Sequence, residues 1–125
     1  MLKSMLVCLA ATATLSAQAP AQQERRVIRV TAERFSFTPS RIVVDAGEAV
    51  ELRIRSDDTS HGFRIADLDV NVTLQKRGKG DVRVPLQVDA PGRYTFECSR
   101  MCGAGHNFMR GELVVRARAQ GPGPR

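Results

Sequence analysis

Tryptophan is absent from this sequence, tyrosine occurs once, histidine twice and cysteine three times in 125 residues. Each scarcity excludes something. Three cysteines are too few for a disulfide scaffold, and an odd number cannot all pair internally. No apolar run approaches the roughly 20 residues that a membrane-spanning helix needs. Acidic residues are outnumbered, 13 against 19 Lys and Arg, so the chain carries +6. That balance describes a mildly basic surface and argues against a nucleic-acid binder. What remains is one domain of ordinary composition, 42% hydrophobic and 26% charged, too short for a two-domain enzyme.

The N-terminus accounts for the odd cysteine. Residues 1–21 have the order of a secretory leader: Lys3, an apolar and small-residue run from Met5 to Leu15, then cleavage candidates after Ala17 or Ala21. Cleavage removes Cys8 and leaves Cys98 and Cys102 as the only thiols of a mature chain with no transmembrane segment. The alternative is an uncleaved N-terminal anchor. Removal through Ala17 takes one cation, Lys3, and no acid, so the net charge falls to +5. Export places the protein in the periplasm or on the extracytoplasmic side of the envelope, where a Cys98–Cys102 disulfide could also persist. The domain is expected over 22–116 and a flexible basic tail over 117–125.

From Arg25 the hydrophobic period is two. Val50, Leu52 and Ile54 alternate with Glu51, Arg53 and Arg55, and Val82, Val84, Leu86 and Val88 with Arg83, Pro85 and Gln87. Strands are predicted over Val27–Thr31, Arg41–Val44, Ala49–Arg55, Gly62–Ile65, Val70–Leu74, Val82–Val88, Gly92–Glu97 and Glu112–Arg116. Turn signals separate them at Asp45-Ala46-Gly47, at Asp89-Ala90-Pro91-Gly92 and in a basic hairpin loop over 76–81. Short strands at intervals of roughly 8 to 12 residues predict an all-β sandwich of two sheets or a barrel, without long helices.

Chemistry concentrates in Cys98-Ser99-Arg100-Met101-Cys102-Gly103-Ala104-Gly105-His106-Asn107-Phe108-Met109. Soft sulfur and imidazole donors recur there at short intervals. The second histidine, His61, heads a predicted strand that a sandwich can lay beside this loop. Thiolate, imidazole and thioether together suit copper in both oxidation states. A structural zinc site would need His61 far from its usual spacing and leaves Met109 without a role. His61, Cys102, His106 and Met109 suffice for one blue copper; two thiolates four positions apart can instead bridge two copper ions.

These segments, with Ser60-His61-Gly62-Phe63, Asp69-Val70-Asn71-Val72, the strand Pro91 to Cys98 and the closing strand Gly111 to Val115, resemble the periplasmic domain of cytochrome c oxidase subunit II in a soluble, single-domain form. The resemblance implies a cupredoxin-like Greek-key β-sandwich carrying the dinuclear CuA centre, a loop shared with nitrous oxide reductase. It implies that Cys98 and Cys102 bridge two copper ions, that His61 and Met109 complete one, and that His106 with the backbone carbonyl of Arg100 completes the other. Phe63 and Phe108 are then expected to shield the centre from water. The implied activity is electron transport with redox protein partners such as a c-type cytochrome or a haem–copper oxidase subunit, no enzyme by itself. Alternatives are a mononuclear blue-copper protein and a Cu(I) storage or delivery protein for oxidase assembly. Departures from the family are equally specific. Arg100 stands where the family has an acid that helps to hold magnesium, and the family's membrane helices, electron-entry Trp and acidic docking face have no counterpart.

Overall fold

The computed structural model describes residues 13–20 and 24–118. Most of the expected leader, Cys8 included, and most of the expected tail lie outside the described residues; 13–20 carry no regular secondary structure.

Among the described residues, nine strands form two sheets. They are β1 (Arg26–Glu33), β2 (Ser36–Thr38), β3 (Arg41–Asp45), β4 (Ala49–Ser56), β5 (His61–Ile65), β6 (Val70–Leu74), β7 (Val82–Gln87), β8 (Gly92–Glu97) and β9 (Arg110–Arg116). One sheet runs β2-β1-β4-β7 and the other β3-β9-β8-β5-β6. Two of the pairings, β1 with β4 and β3 with β9, are parallel. Such neighbours cannot be joined by a tight turn, so the chain crosses from layer to layer in Greek-key fashion. Among the described residues no helix is long and apolar enough to cross a membrane; the helical pieces are short 3-10 turns at Ala66–Leu68 and His106–Phe108.

The period-2 pattern explains the layers. In β4, Val50, Leu52 and Ile54 are buried while Glu51, Arg53 and Arg55 face outward. Val84 and Leu86 of β7, Phe96 of β8 and Leu113 and Val115 of β9 do the same from their own strands. Between the sheets, the rings of Phe37, Phe63 and Phe96 meet with centroids 5.2–5.6 Å apart. Edge-on and tilted contacts of this kind add to the gain from burying the rings.

Two features differ from the sequence reading. β2 was not expected: three residues before Pro39 are too few to show a period, yet Phe37 within it is a central core residue. The basic loop over 76–81 is not a hairpin turn, because β6 and β7 belong to different sheets and the loop carries the chain between them. Nothing in the local charge pattern separates those two kinds of connection.

Candidate metal centre

Two segments build the site. β5 contributes His61 from its first position, and the loop between β8 and β9 contributes the rest. β5 and β8 are antiparallel with Arg64 opposite Glu97. Carrying that register on brings Gly62 to Ser99, and here the missing side chain matters: a Cβ on Gly62 would strike Ser99 Oγ and come within 2.9 Å of the Arg100 amide nitrogen. Glycine therefore lets the loop lie directly on the strand that carries His61.

The loop is closed at its base by the Cys98 amide donating to the Met109 carbonyl at 3.0 Å. Within it, the His106 amide donates to Gly103, Phe108 to Gly105 and Met109 to His106. The 3-10 turn over 106–108 puts residues three apart on one side. His106 and Met109 thus face inward, and Asn107 and Phe108 are left outside. Phe108, expected to shield the site, is 84% exposed and does not; Phe63, fully buried, remains in the core beneath.

All six expected donors come together. Cys98 Sγ and Cys102 Sγ are 3.6 Å apart as free thiols, with no disulfide between them. Cys98 Sγ lies 3.8 Å from His61 Nδ1 and 3.1 Å from the Arg100 carbonyl oxygen. Cys102 Sγ lies 3.7 Å from His106 Nδ1 and 3.9 Å from Met109 Sδ. His61, both thiols and Met109 are buried, and His106 alone of the side-chain donors is part-exposed.

The electrostatics favour a cation among these groups. Burial first, and the neighbouring Cys98 thiol second, push the Cys102 thiol up to about 11. Two thiolates this close need positive charge between them to exist together at neutral pH. Sulfur, imidazole and thioether are soft or borderline donors, the set that copper accepts and that magnesium or calcium does not. The residues present therefore fit copper.

Three residues that the sequence reading did not single out support the donors. Asp58 accepts a 2.7 Å hydrogen bond from His61 Nε2. Burial pushes the Asp58 carboxyl up, but hydrogen bonds from the Arg34 amide, His61 and the Thr59 amide outweigh it and hold the group below its usual value. An ionised acceptor fixes the proton on Nε2 and leaves the Nδ1 lone pair directed at Cys98. Arg34 joins two parts of the site: its amide donates to Asp58 Oδ2 at 2.8 Å and its Nε to the Cys102 carbonyl at 2.9 Å. Phe35 lies across the loop, where any Cβ on Gly105 would collide with its ring. The spacing Asp-x-x-His could have drawn attention to Asp58. No local signal marks Arg34 or Phe35.

Comparison with known proteins places these observations in a wider set. The family described as a cupredoxin-like domain matches residues 5–115. The cytochrome c oxidase subunit 2 of Thermus thermophilus is 33% identical over 89 residues, covering 71% of this chain and 64% of that protein. The chain thus spans slightly less than two thirds of that relative's length. Among solved structures, the periplasmic domain of cytochrome oxidase subunit II (CoxB) of Bradyrhizobium japonicum aligns with a TM-score of 0.68 at 14% identity, over 77% of this chain and 87% of that one. Auracyanin A, a "blue" copper protein from Chloroflexus aurantiacus, aligns with a TM-score of 0.59 at 18% identity, over 74% and 100%. At such identities these two likenesses concern the fold alone.

Proposed function

The chain belongs to the cupredoxin-like domain family, and from that membership we propose that it holds two copper ions in a CuA-type centre and passes single electrons between protein partners. The carrying observation is how each sulfur is flanked. Cys98 lies against His61 and the Arg100 carbonyl, and Cys102 against His106 and Met109. His61 and Met109 serve one copper in this reading, and His106 and the Arg100 carbonyl the other. Each thiol then has one donor from either set beside it, as a bridging ligand requires. A mononuclear blue site on Cys102 leaves Cys98 without a task, although His61 directs its Nδ1 toward that sulfur.

Copper, when bound, supplies the one-electron chemistry; the chain supplies rigidity, dryness and a way in. The hydrogen-bonded loop base and the Asp58–His61 pair hold the donors in place, so little has to move when the charge changes. The core beneath excludes water, and part-exposed His106 leads to the surface. No further open position or nucleophile is needed, so the domain is an electron carrier and no enzyme by itself. Export by the leader to the periplasm, and partnership with a c-type cytochrome or a haem–copper oxidase subunit, belong to the same proposal. The likeness to oxidase subunit 2 supports both.

Copper analysis together with electron paramagnetic resonance of the oxidised protein tests this function. Two coppers per chain are expected, with more hyperfine lines than one nucleus can produce. One copper per chain with a single-nucleus pattern would reject the dinuclear centre.

Asp58→Asn removes the charge behind His61 while keeping the shape. It is expected to weaken copper binding roughly 10- to 100-fold and to raise the reduction potential, since the more positive oxidised state loses its nearby anion. Competition with a chelator and a redox titration measure the two effects. An unchanged potential would mean that Asp58 only anchors the turn.

A further inference from the structure

Beyond the donors, the rim of the site has a composition of its own. Met101 and Phe108 project from the loop at 74% and 84% exposure, in a domain that keeps most of its bulky apolar side chains inside. They belong to the same loop as His106, the one side-chain donor that is part-exposed. Methionine and phenylalanine left in water around a functional group are typical of the centre of a protein interface.

Four exposed arginines surround this centre. Arg34 reaches the Cys102 carbonyl, and Arg100 precedes Met101. Arg64 and Arg110 line, with His106 and Asn107, an open depression of about 220 Å³. The acid in that depression is Glu97, placed 3.8 Å from Arg64 and 3.9 Å from Arg110, so one carboxylate answers two guanidinium groups. Asp58 is committed to His61 and the turn behind it. The face is therefore apolar at its middle and positive at its edge.

We propose that this face docks a redox protein whose contact surface has an apolar centre and an acidic rim, with His106 at the point of closest approach. Arginine is enriched at interfaces because its planar group pairs with carboxylates in two-fold fashion and stays weakly hydrated. A second copy of this chain does not fit, because the same face would meet it with like charge. The electron-carrying half of the proposal rests on the copper reading given above; the docking half stands on the surface itself.

The test uses horse heart cytochrome c, which is basic, and the same protein with its lysines succinylated, which is acidic. In the stopped-flow assay one electron leaves the reduced, copper-loaded chain and converts ferric haem to ferrous haem, with no proton or bond exchanged. Succinylated cytochrome is expected to react about tenfold or more faster than the native form at low salt, with the advantage shrinking as salt rises. The Arg64→Gln, Arg100→Gln double variant should lose several-fold of that rate. Arg29→Gln, Arg83→Gln removes the same charge from the other sheet and should change it far less. Calorimetric binding of succinylated cytochrome to the metal-free chain separates the two halves: salt-sensitive binding without electron transfer would defeat the copper reading and keep the docking face. Equal rates with both cytochromes, equal effects of the two double variants, or a single-stranded oligonucleotide that binds as tightly as the acidic cytochrome would each overturn the proposal.

Discussion

Cys98→Ser is expected to leave a folded sandwich that binds at most one copper per chain and gives no mixed-valence signal. Cys98 is 5% exposed and stands at the end of β8, and the backbone bond that closes the loop uses its amide, which serine retains. The fold therefore keeps its anchor while the centre loses a sulfur. A hydroxyl oxygen is a harder donor that does not ionise at neutral pH, so it cannot replace a bridging thiolate. Cys102 keeps His106 and Met109 beside it and His61 within 4.8 Å, and these are the donors that a blue-copper site uses. The spectrum is thus expected to collapse to a single-nucleus pattern or to vanish. A circular-dichroism melt of the metal-free variant checks that the fold is intact. An unaltered two-copper spectrum would show Cys98 to be a bystander.

The largest effect on stability is expected from Phe96→Ala. Its ring is fully buried, touches both Phe37 and Phe63, and also fills the space over Gly111, where any Cβ would collide with it. Phe37 comes from the four-stranded sheet and Phe63 from the five-stranded one, so the ring ties the layers together. Truncating a buried Phe costs about 3–5 kcal/mol, a large part of the roughly 5–15 kcal/mol that holds a domain together. At roughly 4 °C per kcal/mol the midpoint should fall by on the order of 12–20 °C. Chemical denaturation of the metal-free protein measures this without a contribution from bound copper. A loss below about 1 kcal/mol would mean that the neighbouring side chains refill the space, at odds with close packing.

Legibility of the fold followed the strength of the period. β6 and β8 have the bounds expected from alternation, and β1, β4 and β9 extend one or two residues beyond them. β2 was invisible because three residues carry no period, and its key side chain, Phe37, looked like any other aromatic before a proline. The candidate donors that the structure brings together were legible because five of the six fall within a twelve-residue stretch and the sixth is one of only two histidines. What holds them was not. Arg34 and Cys102 are 68 positions apart, and their hydrogen bond depends on how the β1–β2 turn settles over the loop. Phe108 was misplaced for a related reason: hydrophobicity suggested shielding, whereas the 3-10 turn decides which residues face inward.

β9 has a further consequence. This strand follows all the others in the sequence but lies inside its sheet, between β3 and β8. Its parallel partner β3 begins near the start of the domain, so their pairing closes most of the chain into one loop. Such distant pairings form late, because the chain entropy must be surrendered before the contacts compensate. Met109 immediately precedes β9, and the bond that shuts the loop runs from Cys98 to Met109. The loop's own donors are neighbours in the sequence in any state of the chain, but the complete set, with His61 among it, converges as the closing strand inserts.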